Sequence, residues 1–298
     1  DRIIYETFME LDAEGWPLKP PRHKKVGMEE LMARRLHDHF ISTELESFLA
    51  HFDPRKNPVK RGVVAIMGGH DVDRDDPSFA MVAHLARRLA SMGFLIASGG
   101  GPGLMEAANL GAYFAAFSDP LRLESAIGRL KAAPSYKDKD WLAVGWRVLQ
   151  EHPTPSTEAS TSLGIPTWFY GHEPPNVFAT HIAKYFENSL REEGLLAIAT
   201  HGILFANGNA GTVQEIFQDA CQNYYSSYGH QSPMVLLGSN FWDLVPDSSG
   251  NFRSKSKPAW QLLRHLARVG GFEHLITLTD DPDVALRAFD SFRVPGQS

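Results

Sequence analysis

The sequence predicts an α/β fold in which a doubly wound parallel sheet carries helices on both faces. From Gly62 onward, short apolar runs alternate with segments of helical periodicity, which is the pattern of repeated βαβ units. Two glycine-rich turns, at 98–106 and 207–215, each follow an apolar run and precede a helical segment. The carboxyl ends of parallel strands meet at one edge of a sheet, where α/β proteins bind ligands. We therefore expect both turns at a single binding site.

The composition indicates a globular chain with a sizeable core. Its 298 residues are 43% hydrophobic, which fits one large α/β domain with extensions better than two smaller domains. A net charge of −6 disfavours nucleic acid as a partner, because nucleic-acid binders carry a basic face. No apolar run approaches the ~20 residues of a membrane span, so no membrane partner is expected. The single cysteine, Cys221, lies among apolar residues and is expected to be a buried thiol in a cytoplasmic protein.

Residues 1–61 are predicted to be a mostly helical N-terminal extension. Apolar residues recur at spacings of three and four between Met28 and Leu49, which predicts a helix over that segment. Prolines separate this helix from the residues before it. Its apolar face is expected to pack on the main domain or on a second subunit.

Residues 62–298 are predicted to form the main domain, which begins with a right-handed βαβ unit. The apolar run 63–67 is a strand, and a helix with Pro77 in its first turn follows it. The run 94–97 is the next strand. Pro102 is expected to open the second helix.

An insertion interrupts this alternation at 118–162. It is predicted to hold a helix near 121–132 and a loop at 152–162. After the insertion the pattern predicts one helix, at about 176–193, and four strands, at 165–170, 203–206, 234–237 and 275–278. The complete sheet is thus expected to have six short strands.

The first glycine-rich turn matches neither of the common phosphate-binding motifs. Counting from Gly99 or Gly101, the third glycine of a dinucleotide-binding G-x-G-x-x-G falls on Leu104 or Glu106. A P-loop is excluded because Gly-Lys-Ser/Thr does not occur in the chain. Two interpretations remain: a tight turn that packs a helix against the sheet, or one side of a ligand site.

The second turn also has a structural and a functional interpretation. Thr212 and Glu215 have the spacing of a capping box, in which each side chain accepts a hydrogen bond from the backbone N–H of the other residue. The preceding residues 207–211 contain more small and turn-forming residues than a cap requires. This excess indicates room for a ligand.

Together the two turns resemble the motifs of a known family. The pattern G-G-G-x-x-G-L-M followed by G-x-x-G-T-x-x-E is similar to that of the LONELY GUY phosphoribohydrolases, also called lysine decarboxylase-like proteins, and of the related nucleotide 5′-monophosphate nucleosidases. The similarity spans about 63–278, with 118–162 as an insertion. It implies a Rossmann-like fold, a homodimer, and hydrolysis of the N-glycosidic bond of a nucleoside 5′-monophosphate to free base and ribose 5-phosphate.

The resemblance also implies roles for individual residues. The glutamate that ends the family's second motif falls on Glu215, and the arginine of an upstream Arg-Lys pair is matched by Arg191, whereas the lysine falls on Glu192. The sequence further departs from the family at Asn207, Asn209 and Glu106. The predicted substrate- and phosphate-binding residues are Gly68, Gly69, Ser98, Gly99, Gly100, Gly101, Gly103, Met105, Gly208, Asn209, Ala210, Gly211 and Thr212.

A mechanism follows from these assignments. Phosphate is expected against the N–H groups of Gly211 and Thr212, where a helix N-terminus favours an anion. Glu215, which is expected to be ionised in a first helical turn, would stabilise the oxocarbenium-like transition state. Arg191 would bind the phosphate or orient Glu215. No metal and no cofactor are assigned.

Other residues and other functions remain open. His70 is expected to line the pocket, and Lys184 is an alternative cation to Arg191. Trp168 and Phe169 are candidates to stack on a base, although at least one of them is expected in the core because they alternate on a predicted strand. The main alternative function is a non-catalytic nucleotide- or cofactor-carrier protein on the same fold. An NAD-dependent enzyme is disfavoured by the broken dinucleotide fingerprint.

Overall fold

The protein forms a seven-stranded, all-parallel sheet flanked by helices. The computed structural model describes residues 2–13, 17–18, 22–57, 59–171, 174–243, 249 and 256–296. The strands are β1 (Val63–Met67), β2 (Leu95–Ser98), β3 (Ser162–Gly164), β4 (His181–Ile182), β5 (Gly202–Phe205), β6 (Met234–Leu237) and β7 (Ile276–Thr279). Their order in the sheet is β4-β3-β2-β1-β5-β6-β7. This is a doubly wound Rossmann-like fold, and its strand order reverses between β1 and β5.

Helices precede the first strand, occupy most of the connections between strands and follow the last strand. They are α1 (Arg2–Phe8), α2 (Met28–Leu49), α3 (Pro77–Ser91), α4 (Leu104–Phe114), α5 (Leu121–Leu130), α6 (Trp141–Glu151), α7 (Asn188–Ala197), α8 (Ala210–Tyr225), α9 (Ser239–Trp242), α10 (Trp260–Val269) and α11 (Pro282–Ser291). Helix α3 begins as predicted: Pro77 is in its first turn, and the side chain of Asp76 accepts the N–H of Ser78 at 2.8 Å.

The core has two layers because alternate residues of each strand point to opposite faces of the sheet. From β1, Val64 and Ile66 pack with α3, α4, α5, α6 and α11 on the first face. Val63, Ala65 and Met67 pack with α2, α7, α8, α9 and α10 on the second face. The sheet edge between these two helical layers is where a ligand can reach both.

Only one end of α2 contributes to this core. Leu45 is buried against the second face, and Phe48 and Leu49 pack beside it. The apolar residues nearer the start of the helix are exposed; they are Met28, Leu31, Met32, Leu36 and Phe40. The helix extends as the sequence predicts, but much of its apolar face has no neighbour among the described residues.

The predicted elements were wrong between 165 and 193. The chain at 165–170 follows β3 instead of forming a strand, because Pro166 has no N–H to donate to a neighbouring strand. In place of a helix at 176–193 there is the short strand β4 and then α7, which begins at Asn188. Helix α4 also starts two residues after Pro102, at Leu104.

Candidate functional site

A cleft of about 360 Å³ lies at the carboxyl ends of β1, β2 and β5. This position includes the point between β1 and β5 where the strand order reverses, the usual ligand site of open α/β sheets. The cleft is lined by Met67, Gly68, Gly69, His70, Gly99, Pro102, Met105, Tyr136, Tyr170, Pro174, Arg191, Glu192, Asn209, Ala210, Gly211, Thr212 and Glu215. Both glycine-rich turns therefore contribute to one site.

The predicted glycines divide between the cleft wall and the packing behind it. Gly103 has a φ of 68°, and a Cβ at this position would overlap the carbonyl oxygen of Gly69. A Cβ on Gly68 would lie 2.7 Å from the Leu104 side chain. Gly103 is needed because the loops after β1 and β2 touch, and the N–H of Leu104 donates to Gly69 at 3.1 Å.

Ser98 lies behind the first turn in a buried polar network. Its hydroxyl donates to Oδ1 of Asn109 at 2.6 Å and accepts the N–H of Gly100 at 3.1 Å. Asn109 in turn is bonded to Ser162 and Asn176. Ser98 and Gly100 thus support the turn, and neither they nor Gly101 are among the residues that line the cleft.

The N-terminus of α8 opens into the cleft without a cap. Asn209 is the N-cap residue, but its side chain makes no capping bond and donates to Asp71 Oδ2 at 3.0 Å. The backbone N–H groups of Ala210, Gly211 and Thr212 have no acceptor in the part of the chain that the structure describes. Free N–H groups at a helix N-terminus form an anion-binding position.

Gly208 and Gly211 differ in what surrounds them. A Cβ on Gly208 would overlap the Thr212 side chain, so a small residue is required there for packing. A Cβ on Gly211 would meet no atom within 4 Å. The side of the cleft next to Gly211 therefore contains space that no atom of the described residues fills.

Glu215 differs from the expectation for a capping, ionised residue. Because α8 begins at Ala210, Glu215 is its sixth residue and lies in the second turn, and no capping box forms with Thr212. The carboxyl group is partly buried in the cleft wall. Burial raises its pKa to about 7, while Arg191 lowers the pKa and Glu192 raises it.

Arg191 lies at the junction of the two turns. Only 7% of it is exposed, and its Nε has no hydrogen-bond partner among the described residues. Its Nη2 would lie 3.6 Å from a Cβ on Gly99, so the guanidinium group is close to the first turn. A buried guanidinium with an unused donor is unusual, because buried charges are normally paired.

Glu192 adds a carboxylate to the wall beside Arg191. Its Oε1 accepts from Asn188 Nδ2 at 2.7 Å, and its Oε2 accepts from Gln214 Nε2 at 3.3 Å. The hydroxyl of Tyr170 is 3.5 Å from the same Oε1. Where the family that the sequence resembles has a cation, this chain has an anion held in place by α7 and α8.

Glu106, another departure from the family motif, does not line the cleft. It is fully buried and forms a two-pronged ion pair with Arg74, with bonds of 2.9 Å and 2.5 Å. Arg74 also donates to the carbonyl oxygens of Ala133 and Trp141, and its guanidinium lies 4.3 Å from the Trp141 ring. Arg74 therefore links the segment between α5 and α6 to Glu106 of α4.

Several other expectations about side chains differ from the structure. Trp168 is buried beside Tyr5 and Met9, and Lys184 lies 5.0 Å over its ring, so neither Trp168 nor Lys184 reaches the cleft. Phe169 does not line the cleft either. Cys221 is exposed, because it lies on the outer side of α8 and not on its buried stripe.

Two aromatic residues that line the cleft, Tyr136 and Tyr170, were not predicted from the sequence. His70 lies there as predicted, with its ring centroid 6.1 Å from that of Tyr136. Tyr136 comes from the insertion, where no periodicity connected it to the two turns. Tyr170 was placed inside a predicted strand, whereas it follows β3 in a turn.

The described residues contain neither a metal-binding cluster nor a helix able to cross a membrane. No group of three or more His, Cys, Asp or Glu side chains converges to hold a metal ion within the described ranges. Among the helices of those same ranges, none combines the length and apolar character needed to cross a membrane.

Comparison with known proteins gives similarity at the level of solved structures. No protein-family model and no curated protein matches the chain. The molybdenum cofactor binding protein from the phototrophic bacterium Rippkaea orientalis is 13% identical, with a TM-score of 0.44 over 78% of this chain and 97% of that protein. The Moco carrier protein from Chlamydomonas reinhardtii is 15% identical, with the same TM-score and coverage. Similarity at this level carries no inference about function, which depends on the cleft itself.

Proposed function

We propose that the protein is a hydrolase that cleaves the N-glycosidic bond of a nucleoside 5′-monophosphate. One observation carries this proposal: the buried Nε of Arg191 and the N-terminus of α8, which have no partner among the described residues, line the same cleft as the carboxyl group of Glu215. The first two groups attract an anion, and the third is suited to a developing cation. A phosphorylated sugar presents both charges during cleavage.

The phosphate binds at the anion-attracting end. The free N–H groups of Gly211 and Thr212 donate to its oxygens, and the helix dipole favours its negative charge. Arg191 supplies a charge-assisted hydrogen bond from its unused Nε. The phosphate oxygens thus accept hydrogen bonds from the N–H groups of α8 and from Arg191, and the bound phosphate fixes the ribose relative to Glu215.

Glu215 acts on C1′ of the ribose. As the bond between C1′ and the base nitrogen breaks, positive charge develops on the sugar, and the ionised carboxylate stabilises it. The electron pair of the broken bond stays on the base nitrogen, water adds its oxygen to C1′, and the proton that the water loses ends on the departing base. The products are free base and ribose 5-phosphate, and the reaction needs no redox partner.

A panel experiment tests this proposal. The purified chain is incubated with adenosine, guanosine, cytidine, uridine and inosine 5′-monophosphates, and free base and ribose 5-phosphate are measured by chromatography. The proposal predicts that both products appear in equal amounts from at least one nucleotide. Release of inorganic phosphate with the nucleoside intact would contradict it.

A second candidate function is binding without turnover. Glu192 favours it, because its carboxylate raises the pKa of Glu215 and so reduces the ionised form of Glu215 that hydrolysis requires. A nucleotide- or cofactor-carrier protein would bind its ligand in this cleft and release it unchanged. The same panel separates the two functions, since a carrier binds a nucleotide and yields no free base.

We also propose a cytoplasmic homodimer. Met28, Met32, Leu36 and Phe40 are spaced four residues apart on α2 and are exposed, and a symmetric pair of such helices would bury them. The chain has one cysteine and so forms no internal disulfide, which suits a reducing compartment. Light scattering tests the assembly: a mass of about twice 33.1 kDa is expected, and the monomer mass would contradict it.

A further inference from the structure

The insertion at 118–162 contributes Tyr136 to the cleft. This residue lies in the loop between α5 and α6, far along the chain from both glycine-rich turns. It is partly buried against the core of the first face. The role of the insertion can therefore be sought in what Tyr136 does in the cleft.

The loop that carries Tyr136 is held by several hydrogen bonds. The N–H of Arg74 donates to the carbonyl oxygen of Pro134 at 3.0 Å, and Arg74 Nη1 donates to that of Ala133 at 3.2 Å. On the other side of Tyr136, the carboxylate of Asp138 accepts the N–H of Ser135 at 2.8 Å. Since Arg74 is itself paired with Glu106, these bonds hold the backbone on both sides of Tyr136 in place at the cleft.

Tyr136 approaches the cleft from the layer opposite to Arg191. Helices α5 and α6 cover the first face of the sheet, whereas α7 and α8, which carry Arg191 and Glu215, cover the second. A ligand whose phosphate is bound at α8 must extend across the edge of the sheet to reach Tyr136. A nucleoside monophosphate has this form, with phosphate and base at opposite ends of the ribose.

We propose that Tyr136, with the neighbouring His70, forms the wall on which the base of the nucleotide stacks, so that the insertion is the base-recognition element. This inference rests on the proposed function. The rings of Tyr136 and His70 are tilted by 59° and not stacked on each other. An aromatic face can stack on any base, since every base has a π-face, so this wall selects a base-bearing nucleotide over a bare sugar phosphate.

Two ligands separate this subsite from the phosphate site. One is the carbocyclic analogue of adenosine 5′-monophosphate, which cannot form an oxocarbenium-like state and so remains intact. The other is ribose 5-phosphate, which has no base. Their dissociation constants are measured by titration calorimetry for the wild type and for Tyr136→Ala, Tyr136→Phe and Lys139→Ala, with thermal melting of each sample. Lys139 is exposed in the same loop and does not line the cleft, so it is the matched control.

The wild type is expected to bind the analogue more tightly than ribose 5-phosphate. Tyr136→Ala should weaken binding of the analogue about tenfold, which corresponds to about 1.4 kcal/mol, and leave ribose 5-phosphate unaffected. Tyr136→Phe keeps the ring and should keep the affinity, as should Lys139→Ala.

Two results would overturn the inference alone: equal affinity of the wild type for the two ligands, or an equal loss of both in Tyr136→Ala. Either leaves the phosphate site in place. If the wild type binds neither ligand, the proposed function fails as well. If Tyr136→Ala does not fold, Tyr136→Phe still tests the inference. This variant retains the ring, so a folded Tyr136→Phe protein that binds the analogue more weakly than the wild type would contradict stacking.

Discussion

The carboxylate of Asp38 in α2 accepts the backbone N–H of Glu187, the N-cap residue of α7, with 2.8 Å between Oδ2 and N. Its Oδ1 accepts the N–H of Phe186 at 2.9 Å. Asp38 is 1% exposed. Since α7 carries Arg191 and Glu192, α2 fixes the start of the helix that forms one wall of the cleft.

Removal of the Asp38 carboxylate is therefore expected to destabilise the protein, because it releases the start of the α7 helix that forms one wall of the cleft. Asp38→Ala leaves two backbone donors without acceptors, which should lower the free energy of unfolding by roughly 2 kcal/mol in urea denaturation. Arg35→Ala is the matched control, because Arg35 also contacts Glu187, through an exposed ion pair of 2.7 Å that is worth about 0–1 kcal/mol. Equal stabilities of the two variants would contradict this role of Asp38.

Gly211→Ala tests whether the open space at the start of α8 is used by a ligand. The added methyl group meets no protein atom within 4 Å, and alanine is a better helix former than glycine, so stability should not fall. Binding of ribose 5-phosphate should weaken, because the methyl group narrows the approach to the N–H groups of α8.

Gly194→Ala provides the control for this substitution. Gly194 is also helical, and a Cβ added there would also meet no atom within 4 Å, but this glycine does not line the cleft. Both variants should melt at or above the wild-type temperature, and only Gly211→Ala should bind more weakly in titration calorimetry. Undiminished affinity in Gly211→Ala would show that the ligand does not approach this helix end.

The environment of Asp219 predicts that the free energy of unfolding falls as the pH rises from about 4 to about 8. It is buried on α8, its Oδ2 has no hydrogen-bond partner among the described residues, and burial raises its pKa to about 8. Its folded pKa lies above the unfolded value, so the folded state holds the proton more tightly. The stability from this group is therefore present below the unfolded pKa near 4 and is lost as the pH rises to about 8.

Asp219→Asn removes this dependence because the amide does not titrate. The difference in unfolding free energy between the variant and the wild type should grow in favour of the variant by about 1 kcal/mol per pH unit between pH 5 and 8. Urea denaturation at several pH values measures it. Parallel pH profiles for the two proteins would contradict the raised pKa.

The parallel sheet and the meeting of the two turns could be predicted because they depend on local patterns. Apolar runs before glycines mark the strand ends at Met67, Ser98 and Phe205, and parallel topology brings those ends together. Regions without such a pattern were not predictable. Between Ile165 and Asn188 the chain is held by tertiary contacts, such as the bonds from Asp38, that leave no periodic signal in the sequence.

Two properties of the candidate site, the pKa of Glu215 and the free N-terminus of α8, depend on tertiary contacts. The sequence indicates Glu215 and Arg191, but the raised pKa of Glu215 arises from burial and from Glu192 one helix away. The uncapped α8 depends on the bond between Asn209 and Asp71, two residues that are distant in the chain. Asn209 is a favourable N-cap residue by type, so sequence alone predicts a cap where the structure leaves donors free.

The pH dependence of hydrolysis follows from the environment of Glu215. If the ionised carboxylate stabilises the transition state, kcat/KM should rise with pH through about 7. Glu192→Gln removes a charge that raises the pKa of Glu215, so the rise should move to lower pH. If kcat/KM rises at the same pH in the wild type and in Glu192→Gln, the titrating group is not Glu215.

The most direct measurement compares release of free base by the wild type and by Glu215→Gln, with thermal melting on the same samples. The substitution keeps the size of the side chain and removes its charge, so turnover should fall about a hundredfold, equivalent to roughly 3 kcal/mol of transition-state stabilisation, while the protein remains folded. Equal turnover by the wild type and Glu215→Gln would contradict the role of Glu215, and no turnover by the wild type on any nucleoside 5′-monophosphate would contradict the hydrolase itself.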